Sequence, residues 1–350
     1  MCTLRLLRAI GLALVLATLV GCRASAPGPE YYLQRGNDYT DKGDLDRAIA
    51  DYDQAIQLKP DDALAYYSRG NAYADKGDLD QAIADYDQAI QLKPGLAQAY
   101  YNRGIAYRDK GNPDRAIADY DQAIQLKPDY AAAYYNRGNA YRDGGDLDRA
   151  IADYDKATQL KPDYAEAYHN RGNAYRDGGD LGRAITDFSQ AIQLKPDLAE
   201  AYYNRGNAYR QKGDPDRAIA DYDKAIQLKP DDAQAYYSRG NAYRDKGDLD
   251  RAIADFDKAI QLKPDYAVAY YNRGNVYVDK GDLDRAIADY DRAIQLEPDL
   301  AEAYGNRAMA YQEKDMKDQA IADLRKVLEL SQDPQIRQWA EKQLKALGAG

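Results

Sequence analysis

The sequence predicts an all-α fold: a solenoid of nine helix-turn-helix units, each 34 residues long, followed by a capping helix at the C-terminus. Three observations carry that expectation. Glycine recurs at Gly36, Gly70, Gly104, Gly138, Gly172, Gly206, Gly240 and Gly274, always 34 residues apart, with Ala308 in the ninth place. The chain holds 34 Tyr against 2 Phe, 1 Trp and 1 His, so a few positions are filled by the same residue repeatedly. Within each period, apolar residues return at spacings of three and four, the signature of one helix face.

The first 21 residues read as a signal segment. Arg5 and Arg8 give a positive start without acids, and Ile10 to Val20 form an apolar run of 11. A bilayer core needs about 20 apolar residues, so this run is too short to span one. Leu19-Val20-Gly21-Cys22 resembles a bacterial lipobox, which implies that Cys22 becomes the lipidated first residue of the mature chain and that Cys2 leaves with the signal. Residues 22–28 then hold the lipidated cysteine and a Pro/Gly-rich tether. Arg23 to Pro29, fully extended, reach at most about 25 Å, which keeps the body near a membrane. Arg23 in place of an aspartate after the cysteine points to the outer membrane where two membranes exist. The expected location is therefore the bacterial cell envelope.

The repeat units are 29–62, 63–96, 97–130, 131–164, 165–198, 199–232, 233–266, 267–300 and 301–334. Positions below are counted from the first residue of each unit. In the second half of the fourth unit, Leu147, Ala150, Ile151, Tyr154, Ala157 and Leu160 share one helix face; in the first half Tyr134, Gly138 and Tyr141 do. Gly145 suits a helix C-terminus and Asp146 the next N-cap. Pro113 and Pro215 sit where a helix tolerates proline, and Pro162 blocks further helix. Gly138 and Ala150 remove bulk where the two helices cross. After the ninth unit, Ile336, Ala340, Leu344 and Leu347 mark a further amphipathic helix in 335–350, with Trp339 expected to pack onto that unit.

Tyr134, Gly138, Tyr141, Ala150, Tyr154 and Pro162 fall on positions 4, 8, 11, 20, 24 and 32. Position 11 is Tyr and position 20 is Ala in all nine units. This resembles the tetratricopeptide repeat family over residues 29–334. The resemblance implies a right-handed superhelix whose concave groove is lined by the first helices and binds proteins. The chief departure is position 7, where the family's Leu is Arg in every unit. Position 7 borders the apolar face, and position 23 of the facing helix is always Asp, so a repeated structural Arg–Asp pair is expected.

On the first helix, positions 2, 5, 9, 12 and 13 point away from the apolar face. The expected groove residues are thus Tyr101, Tyr135, Tyr203 and Tyr237, with His169 replacing tyrosine in the middle unit. They include Asn102, Asn136, Asn170 and Asn204 at position 6, and Asn139, Asn173, Asn207 and Asn241 at position 9. Arg108, Arg142, Arg176, Arg210 and Arg244 complete the set at position 12. Asparagine offers both a donor and an acceptor to an extended backbone, arginine clamps carboxylates, and tyrosine gives contact at low entropy cost.

Composition excludes other classes. A net charge of -10 repels phosphate, which argues against nucleic acid, including recognition of the pentatricopeptide kind. A single histidine and cysteines confined to the first 22 residues leave no catalytic constellation, cofactor motif or cysteine metal site. The loop Asp41-Lys42-Gly43-Asp44-Leu45-Asp46 lacks the ligand alternation of a calcium loop and reads as capping. The expectation is a non-enzymatic adapter with protein or peptide partners, a lipid link to the membrane and no cofactor. The competing role is a structural component that self-assembles in an envelope complex.

Overall fold

The structure is a computed structural model that describes residues 27–349. The expectations for the signal segment and for Cys22 lie outside the described residues. The chain divides into two compact units, Met1–Gly95 and Leu96–Gly350. In the first, α1 (Pro29–Asp41) pairs with α2 (Leu45–Leu58), and α3 (Ala63–Asp75) with α4 (Leu79–Leu92). The second begins with the hairpins α5 (Ala97–Asp109) and α6 (Pro113–Leu126), α7 (Ala131–Asp143) and α8 (Leu147–Leu160), and α9 (Ala165–Asp177) and α10 (Leu181–Leu194). It continues with α11 (Ala199–Gln211) and α12 (Pro215–Leu228), α13 (Ala233–Asp245) and α14 (Leu249–Leu262), and α15 (Ala267–Asp279) and α16 (Leu283–Leu296). It closes with α17 (Ala301–Glu313), α18 (Lys317–Leu330) and the single helix α19 (Pro334–Ala346). The described residues are all-helical, a repeated helix-turn-helix arrangement without strands.

Local chemistry sets each turn. Gly145 has φ 81°, a conformation that costs glycine little and ends α7. Its N–H donates to Arg142 O, and the Asp146 N–H to Tyr141 O. The Asp146 side chain then accepts from Arg149 N at 3.0 Å and caps α8. Asp146 is thus engaged in capping, whereas its loop neighbour Asp143 pairs with Arg142. In the last hairpin Asp315 stands in the glycine's place at φ 58°.

Within a hairpin the two helices cross at glycine. A Cβ on Gly138 would lie 2.8 Å from Tyr154 Cε1 and 3.3 Å from Ala150 O. Tyr154 and Ala150 are both fully buried at that crossing. Where Ala308 replaces glycine, Leu324 replaces the tyrosine and both remain fully buried, so volume is exchanged across the crossing.

Both ends of the array depart from the repeat. At the C-terminus α19 lays Ala340 and Leu344 against Ala308, Leu324 and Val327, with Trp339 packed on this cluster. Trp339 is therefore a packing residue. In α1, position 3 is Tyr31, 49% exposed, where other hairpins carry a buried alanine such as Ala65 or Ala133. Its ring meets Tyr32 edge-on at 5.4 Å and lies 5.2 Å from the Arg35 guanidinium. That aromatic cover is a departure the sequence reading missed.

Gly138→Ala is expected to destabilise the array by about 1–3 kcal/mol, the overpacking cost exceeding the gain in helix propensity. In a Tyr154→Leu background the same substitution should cost much less. Guanidinium denaturation of the four proteins checks this, and simple additivity would rule the exchange out.

Candidate partner-binding face

Position 7 ties each hairpin together. Arg137 Nε and Nη2 donate to Asp153 Oδ2 and Oδ1 at 2.8 and 2.7 Å. The same pairing joins Arg35–Asp51, Arg69–Asp85, Arg103–Asp119 and Arg171–Asp187. It also joins Arg205–Asp221, Arg239–Asp255, Arg273–Asp289 and Arg307–Asp323. The expected Arg–Asp pair is therefore present in every hairpin. Its bond to Asp153 holds the Arg137 guanidinium above its ordinary range, so it stays charged although mostly buried. The remaining nitrogen, Nη1, reaches back to Asp121 of the preceding hairpin. Arg69 does so to Asp53, Arg171 to Asp155, Arg239 to Asp223 and Arg307 to Asp291.

The tyrosine and asparagine rows do not stand free. The Tyr101 hydroxyl accepts from Asn136 Nδ2 at 2.7 Å, and the Tyr135 hydroxyl from Asn170 Nδ2 at 2.9 Å. The Tyr203 hydroxyl shares a bond of 3.2 Å with Ser238 Oγ, and Tyr237 accepts from Asn272 at 2.9 Å. His169 continues this seam, with Nε2 2.9 Å from Asn204 Nδ2. Burial holds its imidazole below the usual range, so the neutral ring accepts that bond. At position 9, Asn139 Oδ1 accepts from the Tyr154 hydroxyl at 2.8 Å and Asn207 Oδ1 from Tyr222 at 2.7 Å. Asn241 is 7% exposed and donates to Tyr237 O.

Most amides of the expected asparagine ladder therefore bond to other helices of the chain. Position 5 faces the following hairpin, position 6 the preceding one, and position 9 the second helix of its own hairpin. Burial there obliges each hydroxyl and amide to find an internal partner. Two substitutions break the pattern. Ile105 occupies position 9 in the third hairpin, and the buried Tyr120 hydroxyl has no hydrogen-bond partner. Phe188 occupies position 24 in the fifth, and Asn173 Oδ1 has none.

The position-12 arginines remain half-open to solvent. Arg108, Arg142 and Arg176 pair with the next residue, Asp109, Asp143 and Asp177, at 3.1, 3.4 and 2.9 Å. Arg210 and Arg244 reach into the following hairpin, to Asp245 at 2.6 Å and Asp279 at 3.1 Å. Their side chains keep 22–39% of their surface exposed. Arg108 and Arg176 also donate to Asn136 and Asn204. Asn102 occupies the matching position of the third hairpin. Among the described residues no three metal-ligating side chains converge, and no helix is long and apolar enough to cross a membrane.

Comparison with known proteins bears on this architecture. The TPR repeat family matches residues 36–77, 70–111, 138–177, 172–213, 240–281 and 274–315. Related tetratricopeptide repeat families match 97–130 and 199–232, 119–152 and 221–254, and 301–334. Among solved structures, a tetratricopeptide repeat protein from Parabacteroides merdae is 22% identical, covers 72% of this chain and 98% of its own, and has a TM-score of 0.55. A chain of the APC/C hetero-tetramer Cut9–Hcn1 is 18% identical over 91% of this chain and 76% of its own, with a TM-score of 0.53. Both share the fold. YrrB, described as a TPR protein with an unusual peptide-binding site, is 29% identical over 53% of this chain and 95% of its own, with a TM-score of 0.47. No curated protein matches the chain.

Phe188→Tyr should restore the missing bond to Asn173 and stabilise the array by about 1 kcal/mol. Tyr222→Phe should destabilise it by about 1–2 kcal/mol by orphaning Asn207 Oδ1, whose donor is the Tyr222 hydroxyl. Shifts of opposite sign in the denaturation midpoint are expected. Equal or absent shifts would show that the hydroxyl–amide bond contributes nothing.

Proposed function

We propose, from the premise that this chain belongs to the tetratricopeptide repeat family, whose fold generally serves as a protein–protein interaction scaffold, that it is a non-catalytic adapter at the bacterial cell envelope. The partner is a polypeptide segment lying along the first helices of the hairpins. The observation that carries this reading is the row Arg108, Arg142, Arg176, Arg210 and Arg244. Stacking takes up the tyrosines and asparagines, while these guanidiniums stay accessible in exposed pairs. An exposed pair contributes about 0–1 kcal/mol, so a partner carboxylate can displace Asp143 or Asp177 at little cost. Bidentate geometry then favours acidic or carbonyl-rich segments.

A photo-crosslinking residue at positions 142, 176 or 210 should give one shared adduct in native membranes. The same residue at Ala152, Thr186 or Ala220, on the second helices, should give none. Adducts from both sets alike would remove the first-helix face as the docking surface, and adducts only with the chain itself would favour self-assembly.

The envelope location draws its support from the sequence: the charged start, the short apolar run, Gly21-Cys22 and the short tether after it. Cys22→Ser is expected to move the protein from the membrane to the soluble fraction. Retention on the membrane, with Met1 still present in the N-terminal peptide, would overturn lipid anchoring.

A further inference from the structure

The first-helix face changes character between α15 and α17. Position 12, arginine in five successive hairpins, is Val278 in α15, and position 9 in α17 is Met309 instead of asparagine. Met309 is 36% exposed, one of few large apolar side chains left open among the described residues. With Val278 and Ala310 it supplies the apolar lining of a cavity of about 370 Å³, which Arg244, Asp279 and Glu313 also border.

Nearly all polar groups of this cavity are already engaged. Asn275 Oδ1 accepts from the Tyr290 hydroxyl and from Asn306 Nδ2, each at 2.8 Å. Asn306 Nδ2 also donates to the Tyr271 hydroxyl. Arg244 pairs with Asp279 at 3.1 Å. Glu313 is the exception, an exposed carboxylate with neither ion pair nor hydrogen bond. In the second compact unit every other acid at position 13, namely Asp109, Asp143, Asp177, Asp245 and Asp279, has an arginine of this row beside it. Arg210 and Arg244 each meet the acid 35 residues further on. The residue in that register with Glu313 is Val278. The molecule thus shows which group its carboxylates take at this position, and here that group is missing from the chain.

We propose that this cavity receives an arginine side chain of the bound partner polypeptide. Its guanidinium meets Glu313 and its aliphatic stem lies along Val278 and Met309. An arginine matches both halves of the cavity, because its stem is apolar and its planar head pairs with a carboxylate by two bonds. A partner carboxylate is disfavoured, since Arg244, Asp279 and Glu313 together sum to one negative charge. The assignment rests on the first-helix face being the docking surface and adds one subsite to it.

The test uses the full-length chain in detergent micelles, labelled with ¹³C at the methionine methyl groups. Met309 lines the cavity and Met316 lies outside its lining, so the two methyls serve as probe and control. The ligands are Ac-Ala-Arg-Ala-NH₂ and its citrulline counterpart, which keeps the shape and loses the charge. The arginine peptide should shift the Met309 methyl saturably and leave Met316 in place, with the citrulline peptide about threefold to tenfold weaker. Glu313→Gln should reduce the arginine response to the citrulline level, and Glu313→Asp should retain most of it. Val278→Arg, which supplies the missing guanidinium from within, should abolish it. No saturable shift, an equal response to citrulline, or a parallel shift at Met316 would overturn the assignment. If the peptide fails while crosslinks from positions 142, 176 and 210 persist, the cavity alone is withdrawn; if those crosslinks fail too, the docking face falls with it.

Discussion

The array depends on the position-7 guanidinium. It is planar, always charged and carries donors on two edges. One edge is spent on the aspartate of its own hairpin, as in Arg137 to Asp153, and the remaining nitrogen on an acid of the hairpin before, as in Arg137 to Asp121. A leucine at this place would pack the same stem but could not specify where its neighbour sits. Buried ion pairs are costly to desolvate and give little net stability. Here the pair is mostly buried, 18% exposed on Arg137 and 8% on Asp153. Its physical value is geometric, because three bonds from one rigid fork fix both the crossing within a hairpin and the register to the next. The tyrosine–asparagine seam shares this geometry: Asn139 meets Tyr154 across the crossing within a hairpin, and Asn170 meets Tyr135 across the register between hairpins.

This cohesion is uneven. Lysine at position 14 pairs with the aspartate at position 18 of the hairpin before at Lys246–Asp216, Lys280–Asp250 and Lys314–Asp284. In the fourth and fifth hairpins that lysine is Gly144 and Gly178, and in the fifth the aspartate is Gly182. Ser189 also replaces the acid that Arg205 would reach, leaving a neutral bond of 2.9 Å. The α10–α11 junction therefore lacks both charged ties that the later junctions keep. In a quasi-one-dimensional array stability is a sum of nearest-neighbour terms, so the charged share of that sum is lowest at this junction, which keeps the Arg176–Asn204 and His169–Asn204 bonds.

Most of the fold was legible because the repeat writes each constraint many times. Gly145, Asp146 and Pro162 mark the ends of helices by backbone chemistry alone, and the pairing of Arg137 with Asp153 follows from helix periodicity and the constancy of both residues. The face of the tyrosine and asparagine rows was harder to read. A 100° turn per residue places Asn136 on a side of its own helix but says nothing of where the next hairpin lands. A signal was present: Tyr52, Tyr86, Tyr120, Tyr154, Tyr222 and Tyr290 are tyrosines at a core position, and a buried hydroxyl needs a partner. The asparagine 15 residues earlier is that partner in five of these hairpins, as the bonds of Tyr52, Tyr86, Tyr154, Tyr222 and Tyr290 show. Tyr31 was missed because one substitution at the array's edge carries no periodicity.

The same logic bears on where recognition resides. A residue repeated in every hairpin is first explained by what every hairpin needs, which is a neighbour, and Tyr135, Asn139 and Arg137 are all consumed in that way. A guest, by contrast, must be recognised at particular places, so discrimination falls to positions where the pattern is interrupted without internal compensation. Ala308 with Leu324 is an interruption that compensates itself, since volume lost on one helix is regained on the other. Val278 with Glu313 does not, because the substitution removes a cation and leaves its carboxylate unpaired beside an open apolar wall. In a chain built from near-copies, the uncompensated departure from the repeat is therefore a better guide to a binding subsite than the repeat itself.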